Sequence, residues 1–80
     1  MTDVREVVTA TVREILPDVG VDEIRPDRHL RDLGADSVDR VEIIGAVLDR
    51  LSLDEPLSSF SDLPDIEAMV DLLERLRATA

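Results

Sequence analysis

The apolar positions of the chain fall into three runs with helical spacing, separated by two stretches that have none. In the first, from Asp3 to Leu16, Val4, Val7, Val8, Val12 and Ile15 recur at i, i+3, i+4, i+8 and i+11, a stripe along one face of a helix. Asp3 followed by Glu6 resembles a capping box, with Thr2 as an alternative cap. Pro17 disfavours helical geometry at Leu16 and so ends the run. The second run begins at Ser37, with Asp36 as its N-cap, and continues to Leu51. Ile43, Ile44, Val47 and Leu51 make one stripe on it. Val38, Val41, Gly45 and Leu48 make a second, rotated by about a third of a turn. A helix lying on a bundle needs only one buried stripe, so the second is expected to face outward, starting beside Ser37. In the third run, from Asp65 to Arg77, Ile66, Met69, Val70, Leu73 and Leu76 share a face. Asp65 can cap it, and Arg75 and Arg77 suit the negative end of its dipole.

Between the first two helices lie residues 17–36, with Pro17, Gly20, Pro26 and Gly34 and no sustained period. So long a connection is uncommon in a compact domain and is expected to have a function. Val19, Val21, Ile24, Leu30 and Leu33 are spaced along it as anchors that can peg it to the bundle. Residues 52–64 contain Pro56 and Pro64 and leave room for a short helix near residues 58–62. No alternating apolar pattern suggests a strand, and no repeat is visible. The fold predicted is all-α: three main helices plus a short third one, in a single domain spanning residues 1–80.

Composition narrows what such a bundle can do. A chain of 80 residues buries only about 60% of its unfolded surface, too little for both a stable core and a deep, walled active site. With 44% apolar residues and a single aromatic, Phe60, the core must be aliphatic. Nine basic residues, all arginine, stand against nineteen acidic ones, a net charge of −10. Nucleic acid is therefore not an expected partner, because phosphate binding needs clustered cations. Proteins with basic patches are, drawn in by the acidic field. Without cysteine there is no disulfide, thiolate metal site or thiol nucleophile. No apolar run is long enough to span a membrane, and the N-terminus lacks a signal pattern. A cytoplasmic monomer is expected.

The candidate chemistry sits at Ser37, where the long connection meets the second helix. As a nucleophile, Ser37 needs a base and an oxyanion hole. The only histidine, His29, lies in the connection with no partner indicated by spacing, and there is no lysine. Ala35 and Asp39 occupy the glycine positions of a nucleophile elbow. No catalytic residue is therefore assigned. As an acceptor, the hydroxyl stands at the mouth of a helix, where an attached phosphodiester gains about 0.3–1 kcal/mol from the N–H groups and dipole. Asp36, Asp39 and Glu42 would attract a basic modifying enzyme, and Val38, Val41, Gly45 and Leu48 would give it an apolar face. The residues alone also allow the plainer reading, in which Ser37 only opens a capped helix.

The run from Leu30 to Glu42 resembles the signature of acyl carrier proteins, L-x-x-L-G-x-D-S-(L/V/I)-x-x-(V/I)-E. Leu30, Leu33, Gly34, Asp36, Ser37, Val38, Val41 and Glu42 match, eight of thirteen positions. The resemblance covers essentially the whole chain and implies a four-helix bundle with a long first loop. It also implies a 4′-phosphopantetheine arm joined to Ser37 by a phosphopantetheinyl transferase, with acyl groups carried as thioesters on the arm. The runs from Gly34 to Ile44 and from Leu51 to Phe60 are further similar to donor carriers of polyketide β-branching cassettes. That similarity implies an acyltransferase or decarboxylase as loading partner. It also implies delivery of acetyl or propionyl to a hydroxymethylglutaryl-synthase-like enzyme. Docking is then expected at Val38, Asp39, Arg40, Val41, Glu42, Gly45 and Leu48. Arg40 is disfavoured beside the positive end of the helix dipole, so it is read either as a partner contact or as an ion pair with Asp36 or Asp39. Gly45 weakens the helix by about 1 kcal/mol relative to alanine and could admit a closely approaching partner.

A net charge of −10 also strains the compact state. Raising ionic strength from about 0.01 M to about 0.1 M, which shortens the Debye length from about 30 Å to about 10 Å, is expected to raise the thermal midpoint followed by circular dichroism.

Overall fold

The first helical segment packs against both of the others, and the apolar faces of all three meet in one core. The computed structural model describes residues 3–79. Three α-helices, α1 (Val4–Ile15), α2 (Ser37–Arg50) and α3 (Ile66–Thr79), are joined through 3₁₀ turns at Val21–Glu23 and Leu30–Leu33, between the first two, and at Leu57–Phe60, between the last two. No strand occurs among the described residues. Val4, Val8 and Val12 of α1, Ile43 and Val47 of α2, and Ile66, Met69, Val70 and Leu73 of α3 meet in one aliphatic core. Phe60, the lone aromatic, is buried from the last 3₁₀ turn. That turn replaces the short helix expected at residues 58–62: it is a single turn and starts one residue earlier.

Polar groups in this core are paired. Thr11 is fully buried, and its hydroxyl donates to the Val7 carbonyl (2.7 Å) and accepts from Arg50 Nη1 (2.8 Å). An unpaired buried hydroxyl would cost about 1–3 kcal/mol. Arg50 also pairs with Glu14, so the last turn of α2 is tied to the C-terminal half of α1. The exposed Arg5–Glu67 pair (3.1 Å) links α1 to α3 and contributes at most about 1 kcal/mol. Asp3 caps α1 by accepting from the Arg5 N–H (2.9 Å), without a reciprocal bond from Glu6. Thr2, the alternative cap, lies outside the described residues.

The long connection is held at both ends. Val19 and Leu30 are buried, and Ile24 and Leu33 pack against the core. Val21 is not an anchor: it is 59% exposed. It opens a one-turn helix whose bonds close locally, from Glu23 N–H to the Gly20 carbonyl and from Gly20 N–H to the Glu23 carboxylate. Two N–H groups of the first turn of α3, which have no partner within the helix, donate to the connection. Ile66 bonds to the Arg28 carbonyl (2.8 Å) and Glu67 to the Pro26 carbonyl (2.9 Å). The strand of chain leading to His29 is thereby fixed against α3. Gly34 then ends the Leu30–Leu33 turn in the left-handed region (φ 94°), which a side chain would resist, and turns the backbone into α2.

The C-terminal end of α2 corrects one expectation. Leu48, read as outward-facing, is buried (5% exposed). The helix closes in a Schellman motif: Leu53 N–H donates to the Leu48 carbonyl (2.9 Å) and Ser52 N–H to the Asp49 carbonyl (3.1 Å), with Ser52 at φ 55°. The chain folds back, Leu53 packs against the core that holds Leu48, and that end of the second stripe is covered. Val38 and Val41, at the open end, remain exposed.

Leu48→Ala is accordingly expected to lower the unfolding free energy by about 2–5 kcal/mol. Val41→Ala is expected to stay within about 0.5 kcal/mol of the parent. Urea unfolding of the two variants measures the difference.

Candidate functional site

Two aspartates set the start of α2. Asp36 Oδ1 accepts from the Asp39 N–H (2.8 Å), and Asp39 Oδ2 accepts from the Asp36 N–H (3.3 Å). This reciprocal box satisfies two backbone donors at the junction and makes Ser37 the first helical residue. The Ser37 side chain is exposed and makes no hydrogen bond among the described residues.

Beside it opens a groove of about 440 Å³. Ser37, Arg40, Val41 and Ile44, at i, i+3, i+4 and i+7, form one wall, a single row along α2. Facing them are His29 and its neighbours, Phe60 from the last 3₁₀ turn, and Met69 from α3. The expected docking residues therefore divide. Arg40 and Val41 border the groove. Val38, Glu42 and Gly45 follow a different row, rotated toward solvent by about a quarter turn on the 3.6-residue period. Val38 (64%) and Val41 (51%) are the exposed large apolar residues of α2. At Gly45 an added Cβ would meet no atom within 4 Å, so the bundle itself does not require glycine there. Leu48 lies in the core and belongs to neither row.

The Arg40 side chain has no ion pair with Asp36 or Asp39. Both carboxylates are engaged in the reciprocal cap. His29 was missed as a structural residue. Its Nδ1 accepts from the Arg31 N–H (2.9 Å), and its own N–H donates to Asp32 Oδ2 (3.1 Å), which makes it the N-cap of the Leu30–Leu33 turn. The signal was the H-x-x-D spacing, a capping box with histidine in the serine position. Leu57, 43% exposed at the groove mouth, was also missed. No hydrogen bond joins His29 to Ser37, and no lysine exists to replace it as a base. Among the described residues no three His, Cys, Asp or Glu side chains are placed to hold a metal ion, and no helix is long and apolar enough to cross a membrane.

Residues 6–73 match the family model described as the phosphopantetheine attachment site. The polyketide biosynthesis acyl-carrier-protein AcpK of Bacillus subtilis is 40% identical over 68 residues, 85% of this chain and 83% of that protein. An acyl carrier protein of Streptomyces coelicolor is 39% identical over 57 residues, 70% of this chain and 58% of that one. The non-reducing polyketide synthase adrD of Penicillium roqueforti is 35% identical over 72 residues, 86% of this chain but 3% of the synthase. No solved structure matches the chain.

Removing the cap isolates the role of Asp36 in this geometry. Asp36→Ala is expected to lower stability by about 1 kcal/mol and Asp36→Asn by only a few tenths, read from the denaturant midpoint at unchanged slope.

Proposed function

This chain belongs to the phosphopantetheine-attachment family, the acyl carriers, and we propose that Ser37 bears its arm. A member of this family is a carrier and not a catalyst. It takes a covalent 4′-phosphopantetheine from a phosphopantetheinyl transferase and works with the enzymes that load and unload it. The arm's terminal thiol holds acyl groups as thioesters. The observation that carries the Ser37 reading is its exposed hydroxyl, with no side-chain hydrogen bond, at the first position of a capped helix and at the edge of a groove. These residues fit the group: a bulky substituent on Ser37 displaces no packed neighbour, and the groove beside it has an apolar lining from Val41 and Ile44 on one side and Met69 on the other. Asp36 serves the site by capping α2 and so holding Ser37 at its mouth.

The pathway proposed is polyketide biosynthesis, supported by the likeness to AcpK. Within it the chain is read as the donor carrier of a β-branching cassette. Support comes from the runs Gly34 to Ile44 and Leu51 to Phe60, which resemble such donors. Its loading partner is an acyltransferase or decarboxylase, and its acceptor is a hydroxymethylglutaryl-synthase-like enzyme that takes acetyl or propionyl. Val38, Val41 and the open position at Gly45 form the apolar part of the docking face, with Asp39 and Glu42 as its acids and Arg40 at its border with the groove. A face this small suits brief docking, with the net charge of −10 steering encounter. Tethering then gives each docked enzyme a high effective acyl concentration.

Coexpression with a broad-specificity phosphopantetheinyl transferase tests the attachment. Intact mass is expected to rise by one phosphopantetheine in the parent and not at all in Ser37→Ala. A gain that survives in Ser37→Ala moves the arm to another residue. The donor role is tested by acetyl transfer to a cassette synthase, where Val41→Asp is expected to lower kcat/KM about tenfold, some 1.4 kcal/mol. Equal transfer from a fatty-acid carrier reduces the role to that of a general acyl carrier.

A further inference from the structure

The groove beside Ser37 is unlike the rest of this acidic chain. Its lining includes His29, Arg31 and Arg40 but only one acid, Asp65. The Asp65 carboxylate is engaged, with Oδ1 accepting from the Ala68 N–H at 2.9 Å. Arg40 is the cation nearest in sequence to Ser37 on the same wall. The two are three residues apart on α2, with Cβ atoms about 5–6 Å apart by helical geometry. A long side chain on a helix leans toward the N-terminus and covers the preceding turn, which here is the turn that carries Ser37. Arg40 is partly buried and lines the groove. It nevertheless has no anionic partner among the described residues. Of its acidic neighbours, Asp36 and Asp39 hold each other's backbone N–H groups. Glu42, two residues on, does not share its face.

Resting on the assignment of the arm to Ser37, we infer that Arg40 holds the phosphodiester of that arm within the same molecule. The guanidinium supplies charge-assisted N–H donors to a group that places its anionic oxygens next to it. The unmodified protein thus carries a cation without an anion, and modification supplies the missing partner. Arg40 acts here as a positioning residue. It commits the first link of the arm to the groove side of α2 and away from the row of Val38 and Gly45, leaving that row open to a docking enzyme.

The test uses the whole protein with no partner present. Apo and holo forms, verified by intact mass, are compared by ¹H–¹⁵N NMR of the arginine Nε–Hε groups and by ³¹P NMR of the phosphodiester. On modification the Arg40 Nε–Hε resonance is expected to shift severalfold more than that of Arg13 on α1. In holo Arg40→Gln the ³¹P resonance is expected to move from its parental position. It should move less in holo Arg31→Gln, on the exposed opposite rim. The parent comparison needs no variant, and circular dichroism checks that both variants fold. An unmoved Arg40 resonance in fully modified protein overturns this contact and leaves the Ser37 assignment standing. So does a ³¹P shift as large in Arg31→Gln as in Arg40→Gln, or an Arg40 shift that appears only when the arm is loaded with malonyl, whose free carboxylate is then the anion held. Absence of the arm from Ser37 overturns the attachment itself and this contact with it.

Discussion

The reciprocal bonds between Asp36 and Asp39 help to set the register of α2, together with the burial of its apolar face. A register shifted by one residue would rotate its side chains by about 100°. Ile43 and Val47, almost wholly buried in the core, would then face elsewhere, and the row from Ser37 to Ile44 would leave the groove. The phase is fixed again at the other end, where Ser52 and Leu53 close the Schellman bonds and Leu48 is drawn inside. A helix capped at both ends and buried on one face has one register. Ser37, Arg40 and Val41 are placed by that register and not by contacts of their own.

Several features of α2 are ones that stability alone would not choose. Val38 and Val41 expose large apolar surface. Gly45 lowers helix propensity by about 1 kcal/mol relative to alanine, although the site has room for a methyl group. Arg40 sits near the positive end of the dipole. Helices α1 and α3 show no exposed large apolar residue among those described. Local departures gathered on one element, while the others obey packing rules throughout, are characteristic of a functional surface. The tie from Arg50 to Thr11 and Glu14 holds that element against α1, so the exposed end can carry these costs.

The parts legible in the chain were those governed by local period and capping. The stripes of α1 and α3, the start of α2 at Ser37 and the Asp36 and Asp65 caps all follow from spacing. Leu48 was misplaced because a helical projection cannot see the chain that comes after the helix. The C-terminal signal was hidden too, since Ser52 takes the left-handed position where glycine is usual. Val21 was misplaced for a related reason: an apolar residue in a turn that closes its own hydrogen bonds has no need to reach the core. The groove was beyond reach of any local reading. His29, Arg40, Phe60 and Met69 come together only when the connection is pinned to α3 through Ile66 and Glu67.

Charge is used at two ranges in this molecule, and they have opposite signs. The net charge of −10 acts at a distance, and salt weakens it over a Debye length of about 10 Å at 0.1 M. It can steer a basic enzyme toward the domain, but it would also repel an anionic arm from the surface that bears it. The groove lining removes that conflict locally. Its one acid is tied up in a cap, and its cations line the two walls. A partly buried contact there is screened less than the surface field. On the reading that Ser37 bears the arm and Arg40 holds its phosphodiester, the same acidic domain attracts its partners from outside and keeps that group in place, provided that the cation next to Ser37 stays unpaired until the arm arrives. The reciprocal Asp36–Asp39 cap favours that state, because each of the two nearest carboxylates is turned toward a backbone N–H.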